Sequence, residues 1–250
     1  MNLRMRSAKL LAGLLGGTLL PMLGFSLWSV GALELPPVAV RSFGRVAGVV
    51  AAGVPMDVQL PVAWHRQEHS LSCEVAALKM ALNHAGVAVS EAELIARLPV
   101  DPTPKRSGVW GNPNKGFVGN IDGKMLADGY GVYWGPIAEL GGSFRRTEIL
   151  RNSTAAEVAR HVAEGRPVIV WGYYGRYQPV AWRDAAGNVV QAVDGEHARV
   201  VTGFRGPASA PTHFALLDPI FGELTWTVEK FMENWTSLGR HGVVVYAERS

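Results

Sequence analysis

One helix constrains this chain more than any other feature. From Cys73 to His84 the sequence reads Cys-Glu-Val-Ala-Ala-Leu-Lys-Met-Ala-Leu-Asn-His, which is apolar almost all round. A helix without a polar face has to be covered by other elements, so this one belongs at the centre of a fold. Ser72 is placed to cap it and Gly86 to stop it. Its first residue is the only cysteine of the chain, so an intramolecular disulfide is excluded. Two reasons for that cysteine remain. It is a nucleophile, activated at the positive end of the helix dipole, or it packs as a small hydrophobe.

The other signals are shorter. Ser90 with Glu93, and Thr154 with Glu157, form capping boxes for two further helices. The first ends before Pro99, and Gly165 and Pro167 end the second. Strand patterns dominate the second half: Val168–Trp171, Asn188–Val193, Ala198–Phe204, Phe214–Leu217, Leu224–Thr227 and Val243–Tyr246, interrupted by a short helix at Val228–Trp235. Helices first and strands second, with turn-length connections, predict an α+β fold with the buried helix packed on an antiparallel sheet. The stretch from Asp101 to Gly135 is rich in Gly, Pro and Asn and reads as long loops, a place for part of a substrate groove.

Charge locates the rest. Arg4, Arg6 and Lys9 account for the whole net charge of +3, and no acid precedes Leu33, so the remainder is formally neutral. Nucleic acid is therefore not an expected partner. Leu10 to Leu33 contains no charge. With basic residues leading into it, residues 1–32 read as a secretory signal peptide, cut near Val30-Gly31-Ala32, or as an N-terminal membrane anchor. Either places the domain outside the cytoplasmic membrane. Residues 33–59 read as a linker and 60–250 as the folded domain, with membrane contact only through the N-terminal segment.

Gln67 lies six positions before Cys73. A side-chain amide held beside the Cys73 backbone N–H would give a developing oxyanion two donors. The thiol needs a base. Among the seven histidines, His197 follows the turn Asp194-Gly195-Glu196 and opens an apolar strand, a position from which it can face the helix. The imidazole needs an orienting acceptor. Asp218 closes the strand Phe214–Leu217 before Pro219 and fits that role. His161, on an amphipathic helix, is expected at the surface. His65, His69 and Cys73 stand at a spacing of four, but Ser70 and Ser72 read as turn residues that break a shared helix face, so no metal site is expected. With no phosphate loop either, no cofactor is expected. Trp110, Tyr130, Tyr133, Trp134, Trp171, Tyr173 and Tyr174 are expected in the core or lining a groove.

These stretches carry a resemblance. Gln67 through Met80, Gly165 to Val170, Gly195 to Phe204, Leu217-Asp218-Pro219 and the entry Trp226 to Phe231 resemble the papain-like cysteine peptidases, nearest to the group that processes bacteriocin precursors with double-glycine leaders. The resemblance covers about Leu60 to Ser250. It implies a papain-like fold and a peptide or protein substrate. It also implies a Cys73 nucleophile, a His197 base, an Asp218 orienting group and a Gln67 oxyanion donor. Two departures stand out. Glu74 occupies the place after the nucleophile where the leader-processing enzymes usually carry glycine, and this domain is expected to stand alone outside the cytoplasm, whereas those enzymes are usually fused to a transporter. Two other uses of the same fold remain: a different thiol acyl transfer, such as transglutamination or cleavage of peptidoglycan peptides, and a catalytically inactive peptide-binding module.

Overall fold

A computed structural model describes residues 56–247. The segment read as signal or anchor, and nearly all of the linker, lie outside the described residues. The central helix, α1, spans Cys73–His84, with nine of its side chains buried. Gly86, at φ +78°, supplies the left-handed residue that ends it. Helix α2 (Glu91–Arg97) starts where the Ser90 hydroxyl accepts from the Glu93 N–H. Thr154 caps α4 (Ala155–Ala163) in the same way, and Thr227 caps α5 (Val228–Thr236).

The strands of the main sheet are β1 (Val58–Gln59), β4 (Thr147–Leu150), β5 (Val168–Tyr173), β8 (Glu196–Arg205), β9 (His213–Asp218), β10 (Gly222–Thr227) and β11 (Gly242–Val245). Every pairing is antiparallel, in the order β10-β9-β8-β5-β11-β4, and β1 joins β8 at Phe204 and Gly203. The sheet thus begins at Val58, two residues before the boundary placed at Leu60. Side chains alternate across it. Ile169, Trp171, Ala198, Val200 and Leu217 pack with α1 and with α3 (Trp134–Gly142). Val168, Val170, Val201, Leu216 and Phe214 pack with α4 and α5 on the opposite face. Both faces are covered, which is why β5 and β11 read as continuous apolar runs and β8 as a mostly apolar one.

The architecture is the expected one: a buried helix, with Cys73 at its start, on an antiparallel sheet. Besides the two-residue strands, three elements went unforeseen. Helix α3 carries Gly135, Pro136 and a closing Gly-Gly pair, which depress its helical signal, but a proline in the first turn costs nothing because no hydrogen bond is lost there. Strand β4 and strand β6 (Pro179–Arg183) are half exposed and lack a continuous apolar run. Strand β6 pairs with β7 (Val189–Val193) in a separate hairpin. The loop-rich stretch holds only β2 (Val100–Asp101) and β3 (Phe117–Val118). His161 is buried, against the expectation of exposure, because Tyr246 packs edge-on against its ring.

Candidate active site

The thiol of Cys73 lies where α1 meets β8, and its residue is 5% exposed. The Ala198 backbone N–H donates to Sγ at 3.4 Å, and the S–H donates to Glu74 Oε2 at 3.2 Å. His197 precedes Ala198 on the same strand, one position before the amide that the thiol touches. Among the described residues no hydrogen bond joins His197 to Cys73. Ser72 stands at the N-cap, but its hydroxyl makes no capping bond. It turns instead to the carboxylate of Glu91. The first turn of α1 therefore keeps N–H groups with no capping acceptor from Ser72.

Asp218 is fully buried and gathers four donors. His197 Nε2 lies 2.9 Å from Oδ1, Arg199 Nε donates to Oδ2 at 2.8 Å, and the Ile220 and Phe221 N–H groups donate to Oδ1 at 2.8 and 3.0 Å. Burial opposes the charge of Asp218, yet the His197 hydrogen bond and the neighbouring positive charges bring its carboxyl down to about 2. A charged carboxylate only accepts, so the imidazole proton sits on Nε2 and Nδ1 keeps a lone pair. Burial lowers the His197 pKa, the Asp218 contact resists, and Arg199 adds to the fall, which leaves a neutral imidazole at neutral pH. Trp64 Nε1 donates to the Asp218 carbonyl at 2.8 Å, and the Tyr174 ring stands edge-on to His197 at 5.7 Å. Trp64 and Tyr174 are both exposed, and they rim the pair.

Gln67 sits differently from the sequence expectation. Its Nε2 donates to the His69 and Ser70 carbonyls at 2.8 and 2.9 Å, while its buried Oε1 has no partner. Both amide N–H groups are thus held by the loop, and the two carbonyls fix the amide's orientation. Glu91 organises the same loop. It accepts from the Glu68 N–H and from His65 Nε2 at 2.7 Å.

Sequence reasoning passed over the groups that dominate the thiol's electrostatics. Glu74 is fully buried and accepts from the Val132 N–H at 2.6 Å through Oε1. Glu196, 1% exposed, reaches the same place from β8, and neither of its oxygens has a hydrogen-bond donor. One ligand atom each of Cys73, Glu74 and Glu196 lie within 4.8 Å of one another. Burial raises the Cys73 pKa well above the ordinary thiol value, and the charges of Glu74 and Glu196 push it further. Burial likewise raises both carboxyls, and Glu74 adds to the rise at Glu196. A signal was present: Glu74 is an acid in a helix with no polar face, and Arg199 is a base within an apolar strand. A second acidic group, His65, Glu68 and Glu91, could also hold a cation by its spacing. Lys79 Nζ already stands 3.1 Å from His65 and 3.7 Å from Glu68 and supplies the positive charge there.

Comparison with known proteins follows this geometry. Uncharacterized protein YvpB of Bacillus subtilis (strain 168) is 27% identical over 199 residues, which span 76% of this chain and 75% of that protein. The crystal structure of a Bacillus anthracis protein assigned as a C39-like peptidase superposes with a TM-score of 0.67 at 26% identity, covering 77% of this chain and 98% of that one. A double glycine motif protease from an AMS/PCAT transporter, solved with its leader peptide, aligns over 76% of this chain and 95% of its own at 12% identity and a TM-score of 0.42. The family model described as the Peptidase_C39 like family matches residues 54–243, and with most of its length matched the chain belongs to that family.

Proposed function

We propose that this protein is an exported or membrane-anchored cysteine peptidase that cuts peptide bonds with Cys73, His197 and Asp218. The observation that carries the reading is the buried His197–Asp218 pair, which leaves Nδ1 as an acceptor on the strand whose next amide touches the thiol. His197 Nδ1 takes the Cys73 proton as Sγ bonds to the peptide carbonyl carbon. That proton passes to the leaving amine as the C–N bond breaks. His197 then takes a proton from water, whose oxygen attacks the thioester, and the proton returns to sulfur. The uncapped first turn of α1 offers N–H donors for the oxyanion, and Gln67 is the second donor once it exchanges a loop carbonyl for the substrate oxygen.

The test is digestion of a peptide library by the full chain, with new termini read by mass spectrometry. Cleavage by the wild type and none by Cys73→Ser or His197→Ala is the expected result. Cleavage that persists in Cys73→Ser refutes the assignment. Two observations favour a second reading, a peptide-binding module: the thiol is held neutral and the Gln67 amide is occupied. That reading predicts peptides retained equally by wild type and Cys73→Ser, with none cut.

A further inference from the structure

Two buried carboxyl groups and the nucleophile share one compartment, and their hydrogen bonds are unequal. Glu74 receives two donors, the Val132 N–H on one oxygen and the Cys73 S–H on the other. Glu196 receives none on either oxygen. Gly131 closes the compartment: a Cβ there would lie 2.4 Å from Glu74 Oε1 and 2.7 Å from Glu196 Oε2, so both carboxyls pack directly on its backbone. Two such groups in contact cannot both carry charge away from water. The one with donors keeps the charge, and the one without supplies a proton.

We propose that Glu196 is the protonated member of a buried acid pair, donating to a charged Glu74, and that this pair holds Cys73 as a neutral thiol. Glu74 and Glu196 are then positioning residues of the nucleophile. The inference deepens the peptidase reading and rests on Cys73 being its attacking atom. The other titratable or charged groups facing the compartment are few. His197 and Arg199 come from β8 beside Glu196, and Asp218 comes from β9, paired with both. Tyr130 and Tyr133 approach from the segment before and at the start of α3; both phenols are kept neutral by burial. Arg199 is engaged by Asp218, so no group among these displaces the shared proton. The thiol starts its reaction as S–H, and its proton leaves as the S–C bond forms.

Cys73 is the only thiol, so iodoacetamide labelling of the full chain read by mass spectrometry reports it alone. In Glu74→Gln, labelling at pH 8, above the value of about 7 to which Glu74 is raised, is expected to rise about tenfold, since removing a like charge beside a thiol lowers its pKa by about one unit. Glu196→Gln replaces a carboxyl O–H donor by an amide N–H donor and is expected to accelerate labelling much less. Infrared difference spectra of wild type against Glu196→Gln at pH 7 should contain the carbonyl stretch of one neutral carboxyl. Absence of that band, or equal acceleration in the two variants, overturns the proposal. Zinc chloride that blocks labelling in the wild type but not in Glu196→Gln also overturns it, because the trio then holds a cation where the proton is placed. The same band, present in the wild type at pH 7 and lost on alkaline titration, needs no variant to fold. If the band and the ranking hold while no peptide is cut, the acid pair stands and the peptidase reading falls.

Discussion

Replacing Asp218 by Asn separates stability from chemistry at one position. The side chain keeps its shape and can still accept from the Ile220 and Phe221 N–H groups, but it loses the charge that faces Arg199 and His197. Arg199 is 4% exposed, and its remaining polar contacts, to Asn234 and to the Tyr173 carbonyl, are long at 3.4 and 3.3 Å. Stripping one partner from a buried ion pair costs about 3–5 kcal/mol. The two surviving contacts put the expected loss near the lower end, about 3 kcal/mol. Urea unfolding followed by tryptophan fluorescence measures it. Adding Arg199→Met removes the stranded charge and should recover about 1–2 kcal/mol. The chemical effect is independent of that recovery. Oδ1 is shared by His197 Nε2 and the two N–H groups, so the Asn oxygen stays there, its NH2 turns to Arg199, and the imidazole keeps its tautomer. What is lost is the charge that stabilises a protonated His197, so peptide cleavage should fall about 10²-fold in both the single and the double variant. A stability loss under about 1 kcal/mol, with no gain from Arg199→Met, refutes the claim that Asp218 carries the charge balance of this site.

Two further outcomes follow from the acid pair. Glu196→Gln should be more stable than wild type at neutral pH. The folded-state pKa of Glu196 is raised, so the wild type loses stability as pH climbs through the unfolded carboxyl value of about 4.3 toward the folded value, and Gln has no such slope. Guanidinium midpoints of the two proteins should agree at about pH 4 and separate above it, and parallel curves throughout would count against a protonated Glu196. Gly131→Ala should cost about 2–3 kcal/mol, because its Cβ overlaps both carboxylates and its φ of +149° strains any other residue. A cost below about 0.5 kcal/mol in the same denaturation assay would mean that the compartment relaxes freely.

The helices legible in the sequence were those whose ends carry their own chemistry. Ser90, Thr154, Gly86 and Gly165 announce termini through local hydrogen bonds or a left-handed turn, and each stands where local reasoning puts it. The central strands were legible because burial on both faces leaves a mostly apolar run, unbroken from Val168 to Trp171 in β5 and interrupted by Arg199 and Thr202 in β8. Helix α3 and strands β4 and β6 were not, since tertiary contacts rather than local pattern hold them. Trp134, for example, stacks on Tyr133 and His241.

The candidate site divides along the same line. His197 and Asp218 were legible because each stands at a strand terminus, and adjacent antiparallel strands bring such ends together; the pair meets at 2.9 Å. What surrounds the thiol depends on which face a residue takes, and β8 alternates. Glu196 turns toward α1, and His197 and Arg199 turn toward Asp218. One step along the strand therefore separates the group that restrains the thiol from the group proposed to activate it. Glu74 looked like a departure from a family pattern. In the fold it is the acceptor of the Cys73 thiol proton, and Glu196 joins it from a strand more than a hundred residues away. On the proposed mechanism a neutral thiol and a neutral imidazole have no ion pair to start from. Proton transfer must then accompany bond formation, and its rate depends on how readily the Glu74–Glu196 pair gives up its hold on the S–H.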